Sequence, residues 1–263
     1  MNKPLFLETL FDYNNYPIEV ISMVGSSDKN IIFINGIADP GQNHLDILEG
    51  FVDLGYSVWA INMPGHGRSA MFPEKITWKI MVDIVHSFVE EMEIGKFTMS
   101  GFSMGGGVAL RYAERYPNQI DELTLLSPFC YKIDSILEIV VGGAKFVIDF
   151  TANSIANPTN KPAPTKVFPF YFLTHYQDII LDTKLDLEKL SGIKVHVVVG
   201  ENDPIVRSEK VIETLQGIPD VTFDIVKGLT HDIYYRKAHI IGEIIQKMIK
   251  YLALNENSEF KFK

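Results

Sequence analysis

Residues 101–107, "GFSMGGG", place one serine among four glycines just after a strand-like run, Phe97–Met99. A serine at a sharp turn from a strand into a helix needs neighbours without β-carbons two positions away on each side, because the backbones would otherwise collide. Gly101 and Gly105 meet this requirement around Ser103. The alternative is a flexible glycine loop, and the rest of the chain decides between the two interpretations.

Short apolar runs alternate along the chain with longer stretches whose apolar residues recur every three or four positions. The runs predict buried strands, and the stretches predict amphipathic helices. The predicted strands are Ile31–Ile34, Val58–Ile61, Phe97–Met99, Leu123–Leu126 and Val195–Val199, and the predicted helices are His44–Leu54, Trp78–Met92 and Val108–Tyr116. The alternation predicts an α/β fold, with helices on both faces of a mostly parallel sheet and ligand sites beyond the carboxyl ends of the strands. A hairpin of Leu5–Phe11 and Ile18–Met23 is expected to add an antiparallel edge.

One region departs from this alternation. Between Pro128 and Leu185 the chain is rich in apolar and aromatic residues, and it contains the proline-dense stretch Asn157–Phe170. Because proline interrupts regular elements, we expect residues 128–185 to form an inserted cap of short helices and loops. The core domain would then comprise residues 1–127 and 186–263. A disordered linker is the alternative, and the high content of Phe, Tyr and Ile argues against it.

The composition argues against several classes of protein. The chain has 263 residues, with 33 acidic against 24 basic side chains and a formal charge of -9, so nucleic acid is not an expected partner. The longest apolar stretch, Ser135–Phe150, is interrupted by charges and is shorter than the roughly 20 residues of a membrane span. Cys130 is the only cysteine, which excludes an internal disulfide. The first residues resemble no secretory signal, so we expect a cytoplasmic location.

Ser103 requires a base and an acid, because a serine hydroxyl attacks well only when a histidine oriented by a carboxylate takes its proton. "GENDPIV" places Asp203 in the loop after the strand Val195–Val199, and "GLTHDIYY" places His231 after a last strand ending near Val226. A turn-forming Asp before a proline is the alternative role for Asp203. The other histidines lie in predicted helices, in a strand, in the cap or in a separate loop motif: His44, His66, His86, His175, His196 and His239.

An acyl-transfer site also requires two amide donors for the negative oxygen that develops in the transition state. The amide of Met104, directly after the serine, is one expected donor. The second is expected in the loop "INGIADP", where Gly36 keeps the backbone open and Ile37 supplies the amide.

These motifs resemble those of the α/β hydrolase family, and the resemblance covers nearly the whole chain. "FINGIADP" resembles the oxyanion loop, "INMPGHGRS" the loop after the fourth strand, "GFSMGG" the nucleophile elbow, "GENDPIV" the acid loop and "GLTHDIYY" the histidine loop. The resemblance implies an eight-stranded sheet, an inserted cap, no metal and no organic cofactor. It also implies a Ser103, Asp203 and His231 triad with oxyanion donors at Ile37 and Met104, and a structural role for His66.

Two positions depart from the family's usual pattern. Asn35 stands where a histidine is usual before the oxyanion-loop glycine, and Asn62 stands where an aspartate often opens the loop that contains His66. Neither position supplies the chemistry, but both could alter the shape of the oxyanion loop. A serine at position 103 argues against the haloalkane dehalogenases of the family, which use an aspartate nucleophile.

The resemblance implies hydrolysis of a carboxylic ester or thioester through an acyl-enzyme on Ser103. The apolar residues of the cap suit an acyl chain or another lipid-like group, although they could simply pack against the core. "GHGRS", "GFSMGG" and "LLSPF" are similar to the monoglyceride-lipase and lysophospholipase branch. The alternatives are acyl transfer to an alcohol or amine, cleavage of a carbon–carbon bond, and a weakly catalytic small-molecule receptor. The sequence leaves the substrate, the acceptor and the oligomeric state open.

Overall fold

One sheet of eight strands organises the computed structural model, which describes residues 6–132, 171, 174–231 and 238–254. The strands are β1 (Phe6–Tyr13), β2 (Tyr16–Met23), β3 (Asn30–Ile34), β4 (Ser57–Ile61), β5 (Phe97–Phe102), β6 (Ile120–Leu126), β7 (Lys194–Gly200) and β8 (Val221–Val226). Their order in the sheet is β1-β2-β4-β3-β5-β6-β7-β8. β1 and β2 pair antiparallel, as do β2 and β4, and all other neighbours pair parallel. The predicted α/β sheet and its antiparallel edge hairpin are confirmed.

Helices lie on both faces of this sheet. They are α1 (Leu45–Asp53), α2 (Trp78–Glu91), α3 (Met104–Arg115), α4 (Gln177–Leu181), α5 (Ser208–Leu215) and α6 (Ala238–Leu254). In β3, Ile32 and Ile34 pack into a core with α2 and α3, whereas Ile31 and Phe33 pack into a second core with α1 and α6. Successive strand residues point to opposite faces, so a strand covered on both faces has an unbroken apolar sequence.

The helix after Ser103 begins at Met104, four residues before the predicted start at Val108. The glycines that form its first turn carry no apolar side chains, and the helical pattern in the sequence is therefore absent there. Their lack of side chains permits close packing: a β-carbon on Gly106 would lie 2.6 Å from the β-carbon of Pro128.

The expected cap has its central part, residues 133–170, outside the described residues. Before this stretch in the sequence, Phe129 and Tyr131 are buried in the core that contains α2 and α3. After it, Tyr171 and Tyr176 are buried in the same core. The division into core and cap stays a prediction. Among the described residues, none of the helices combines the length and the apolar character that a membrane span requires.

Candidate active site

Ser103 occupies a strained bend between β5 and α3. Its φ is +53° and its ψ is -113°, a conformation that residues with side chains rarely adopt. A β-carbon on Gly101 would overlap the carbonyl carbon of Gly105, and a β-carbon on Gly105 would overlap the carbonyl oxygen of Ile34. The Ser103 amide donates to the Leu126 carbonyl at 3.0 Å. The serine is therefore held on a tight turn, as the first of the two sequence interpretations requires.

His231 lies between Ser103 and Asp203. Its Nδ1 is 2.8 Å from Oδ2 of Asp203, and its Nε2 is 2.9 Å from Oγ of Ser103. Because a carboxylate can only accept, Nδ1 carries the proton, and the lone pair of Nε2 faces the serine hydroxyl. The structure thus brings together three side chains that are separated by as many as 128 residues in the sequence.

The surroundings of these three side chains fix their orientation. Asp203 accepts hydrogen bonds at Oδ1 from the amides of Ile205 and Val206, at 2.9 and 2.8 Å. The ring of Phe102 packs 4.9 Å from the His231 ring. Ser103, Asp203 and His231 are only 6 to 7% exposed, so water competes little with the hydrogen bonds between them.

The loop that contains Ile37 lies against the Ser103 turn. A β-carbon on Gly36 would lie 2.7 Å from the Phe102 ring, and Gly105 approaches the carbonyl oxygens of Ile34 and Asn35. Met104 is the first residue of α3, and the amides of a first helical turn have no partner within the helix. The two expected oxyanion donors therefore lie on neighbouring segments, and their role stays a prediction.

The two asparagines that depart from the family pattern connect the loops after β3 and β4. Oδ1 of Asn35 accepts from the Met63 amide at 2.8 Å, and Oδ1 of Asn62 accepts from the Gly41 amide at 2.7 Å. Both are buried. Both asparagine side chains therefore link the loop after β3 to the loop after β4.

Sequence reasoning missed Glu19, a fully buried carboxylate of β2. It accepts from the amide of Arg68 at 2.9 Å, from Nε of Arg68 at 2.5 Å, and from the side chains of Asn62 and Gln42 at 2.8 and 3.0 Å. Burial alone would raise the pKa of Glu19, but these hydrogen bonds outweigh it and hold that pKa below its usual value. The sequence signal was weak, because a glutamate in a strand also fits a solvent-facing position.

Tyr131, which follows β6, reaches the loop of Asp203. Its hydroxyl accepts from the Arg207 amide at 2.8 Å and donates to the Ile205 carbonyl at 3.2 Å. Burial raises the pKa of Tyr131 to about 12, so the hydroxyl stays protonated and available as a donor.

Four of the other histidines take part in different contacts. His44 pairs with Asp39 at 3.0 Å, the His86 ring stacks on Tyr116, and His196 contacts Thr222. His66 is buried in the loop after β4. Burial lowers the pKa of His66 to about 4, against the opposing effect of two nearby carbonyls, so its ring is neutral at pH 7.

A sequence profile of the α/β hydrolase fold matches residues 29–177, more than half of the chain. Together with the sheet order and the strained serine turn, this match is decisive: the chain belongs to the α/β hydrolase family. The resemblance that the five sequence motifs indicated is confirmed at the level of the family.

Several relatives are similar over different parts of the chain. A candidate esterase/lipase of Mycoplasma pneumoniae is 22% identical over 256 residues, which cover 87% of this chain and 91% of that protein. Monoacylglycerol lipase abhd6-A of Xenopus laevis is 31% identical over 122 residues, which cover 44% of this chain and 35% of that protein. In two other curated relatives, the matched region spans only 38% and 28% of their length.

Among solved structures, naproxen esterase (carboxylesterase NP) from Bacillus subtilis has a TM-score of 0.69 at 14% identity. The similarity covers 92% of this chain and 91% of that one. At this level of identity, the likeness shows that the two chains share a fold.

Proposed function

We propose that this protein is a serine hydrolase that cleaves carboxylic esters through an acyl-enzyme on Ser103. The observation that supports this proposal most directly is the continuous chain of hydrogen bonds from Asp203 through His231 to Ser103. This arrangement can take a proton from the serine hydroxyl and stabilise the imidazolium that results.

In the proposed reaction, Oγ of Ser103 attacks the ester carbonyl carbon while Nε2 of His231 accepts the hydroxyl proton. The carbonyl oxygen becomes negative and accepts hydrogen bonds from the amides of Ile37 and Met104. The tetrahedral intermediate collapses, the carbon–oxygen bond to the alcohol breaks, and His231 gives its proton to the departing alcohol. Water then attacks the acyl-enzyme with His231 as the base, which releases the carboxylic acid and restores Ser103.

Relatives named as esterase, lipase and monoacylglycerol lipase support ester hydrolysis as the general activity. We propose a small ester or a lipid-like ester as the substrate, such as an acylglycerol, a lysophospholipid or a thioester, with residues 128–185 as a cap over the acyl group. Acyl transfer to another acceptor, carbon–carbon cleavage and a weakly catalytic receptor are the alternatives. A receptor would complete at most a few turnovers. The cytoplasmic location stays a prediction.

The first test is labelling with a fluorophosphonate, which reacts with activated serines. We expect the wild-type protein to be labelled, Ser103→Ala to escape labelling, and Ser103→Ala to lower kcat on nitrophenyl esters by about 10⁴-fold or more. Ser100→Ala is the matched control, because Ser100 is a buried serine of β5 outside the proposed machinery, and it should be labelled as the wild type is. Full turnover by Ser103→Ala, or no labelling of the wild type, would contradict the proposal.

A further inference from the structure

His66 makes contacts that connect two loops near the candidate active site. Its Nδ1 lies 3.0 Å from the Met63 carbonyl oxygen and 3.1 Å from the Pro64 carbonyl oxygen. Its Nε2 lies 2.9 Å from the amide nitrogen of Ala38, in the loop after β3. His66 thus spans from its own loop to the oxyanion loop.

The partners of His66 determine which ring nitrogen carries the proton. Carbonyl oxygens can only accept, so Nδ1 must be the donor, whereas the Ala38 amide can only donate, so Nε2 must be the acceptor. Only the neutral ring with its proton on Nδ1 satisfies both contacts. The ring is fully buried, and burial favours the neutral form.

The Ala38 amide, which donates a hydrogen bond to His66, belongs to an unusual turn. Ala38 has a φ of +57°, a left-handed conformation that is unfavourable for a residue with a β-carbon. Gly36 and Asp39 pair across the turn and close it, with Ile37 and Ala38 between them. The hydrogen bond from Ala38 to His66 therefore stabilises a turn conformation that alanine does not favour by itself.

We propose that His66 is a positioning residue for the oxyanion site, because its Nε2 holds the Ala38 amide and thereby fixes the adjoining Ile37. This inference rests on the proposed function, in which the Ile37 amide binds the developing negative oxygen. A donor that is already aimed before the reaction stabilises the transition state without a cost of reorganisation. Loss of the acceptor at position 66 frees the turn, and the Ile37 amide then loses its alignment.

Tyr176 supports the ring of His66 from a third segment. Its hydroxyl donates to the Pro64 carbonyl at 2.6 Å, the same carbonyl that Nδ1 of His66 faces. The two rings meet edge to face, with centroids 6.1 Å apart. His66 therefore lies between the oxyanion loop and the segment of Tyr176. This contact leaves the ring little freedom to turn away from Ala38.

Two substitutions separate the acceptor at Nε2 from the rest of the ring. In His66→Gln, the side-chain oxygen can reach the position of Nε2 and accept from Ala38. In His66→Asn, the shorter amide can replace only the donor at Nδ1. We expect His66→Asn to lower kcat on a nitrophenyl ester about 10- to 100-fold, with KM changed less than about twofold, because the oxyanion contact forms only in the transition state. His66→Gln should stay within about fivefold of the wild type.

A thermal melt of each variant accompanies the kinetics. A folded His66→Asn protein with wild-type kcat overturns the proposal. Equal losses of kcat in the Asn and Gln variants also overturn it, because the acceptor would then not be the property that matters.

A measurement on the wild-type protein, without any substrate, tests the hydrogen bond from the Ala38 amide to Nε2 of His66. Nitrogen NMR of the labelled ring should show a proton on Nδ1 and none on Nε2 at pH 7. A proton on Nε2 would remove the acceptor for Ala38 and overturn the proposal, even if both variants failed to fold. If the wild type neither hydrolyses esters nor reacts with a fluorophosphonate, the proposed function fails, and the NMR result still decides whether His66 holds the turn.

Discussion

Asp203 and Glu19 are both buried carboxylates, 6% and 0% exposed, but they have different partners. Each accepts hydrogen bonds from backbone amides. Glu19 also pairs with the guanidinium of Arg68, which is always charged. Asp203 pairs with the ring of His231, whose charge depends on its protonation. One carboxylate therefore has a permanent counter-charge, and the other acquires its counter-charge only when His231 takes a proton.

Because their partners differ, the two carboxylates should contribute to different properties, Asp203 to the rate of the reaction and Glu19 to the stability of the fold. In the proposed reaction, the attraction between Asp203 and His231 becomes stronger when the imidazolium forms, so it would favour the transition state over the ground state. The attraction between Glu19 and Arg68 is the same at every step, and together with the bonds from Asn62 and Gln42 it ties the loops after β3 and β4 to β2. We therefore expect a change at Asp203 to lower the rate and a change at Glu19 to lower stability.

The largest effect in this comparison is expected for Asp203→Asn. An amide at this position can keep the bonds from Ile205 and Val206, but it no longer stabilises a protonated ring at 231, and it favours the wrong tautomer. We expect kcat to fall by about 10⁴-fold, with the free energy of unfolding changed by less than about 1 kcal/mol. Ester hydrolysis and urea unfolding of the same preparation measure the two quantities. A loss of stability without a loss of rate would reverse the roles assigned to the two carboxylates.

Sequence reasoning found Ser103, Asp203 and His231 because each follows a predicted strand. The carboxyl ends of parallel strands meet at one edge of the sheet, so the order of strands and loops was enough to bring these residues together. The structure places them within hydrogen-bond distance, and their catalytic roles stay predictions. The fold was predictable for the same reason, since apolar runs mark strands that are covered on both faces.

The partners of Glu19 and the contact between His66 and Ala38 could not be predicted in the same way. Glu19 lies in an antiparallel strand, and the residues that bind its carboxylate are 23 to 49 positions further along the chain. The contact between His66 and Ala38 depends on a positive φ at an alanine, which no local pattern indicates. Such tertiary contacts depend on how neighbouring loops pack, and the period of the apolar residues carries no information about them.

The second effect concerns Glu19→Gln. The substitution keeps the shape of the side chain but removes the negative charge that accepts from Arg68 and Asn62. We expect the free energy of unfolding to fall by about 2–4 kcal/mol, because hydrogen bonds to a buried charge are stronger than those to a neutral amide. Among molecules that remain folded, kcat should stay within about threefold of the wild type. Urea unfolding at pH 7 measures the loss.

The difference in the free energy of unfolding between the wild type and Glu19→Gln should depend on pH. The pKa of Glu19 is lowered on folding, so its stabilising contribution is present above the unfolded pKa of about 4.3 and is lost as the pH falls through the folded value. The difference in the free energy of unfolding between the wild type and Glu19→Gln should therefore narrow below about pH 4.

Glu8→Gln is the matched control, because Glu8 contacts the same Arg68 at the surface, at 3.9 Å. It should change the free energy of unfolding by less than about 0.5 kcal/mol. A gap of equal size at pH 3.5 and pH 7 would argue against the charge as the cause.

The smallest effect is expected at Tyr131, which supports the loop of Asp203 from outside. Tyr131→Phe removes the hydroxyl that bonds Arg207 and Ile205, so the free energy of unfolding should fall by about 1–2 kcal/mol. Because Asp203 keeps its own bonds within the loop, kcat should fall only about two- to fivefold.

Tyr171→Phe provides the control for this last effect. The Tyr171 hydroxyl also bonds one backbone amide and one carbonyl, both of Phe72, at 3.0 and 3.3 Å, and Phe72 belongs to the loop after β4, whereas the partners of Tyr131 belong to the loop of Asp203. The two substitutions should therefore cost similar stability, and only Tyr131→Phe should lower kcat. If both lowered kcat equally, the effect would come from general loosening of the core, and the precise orientation of Asp203 would depend on its own loop alone.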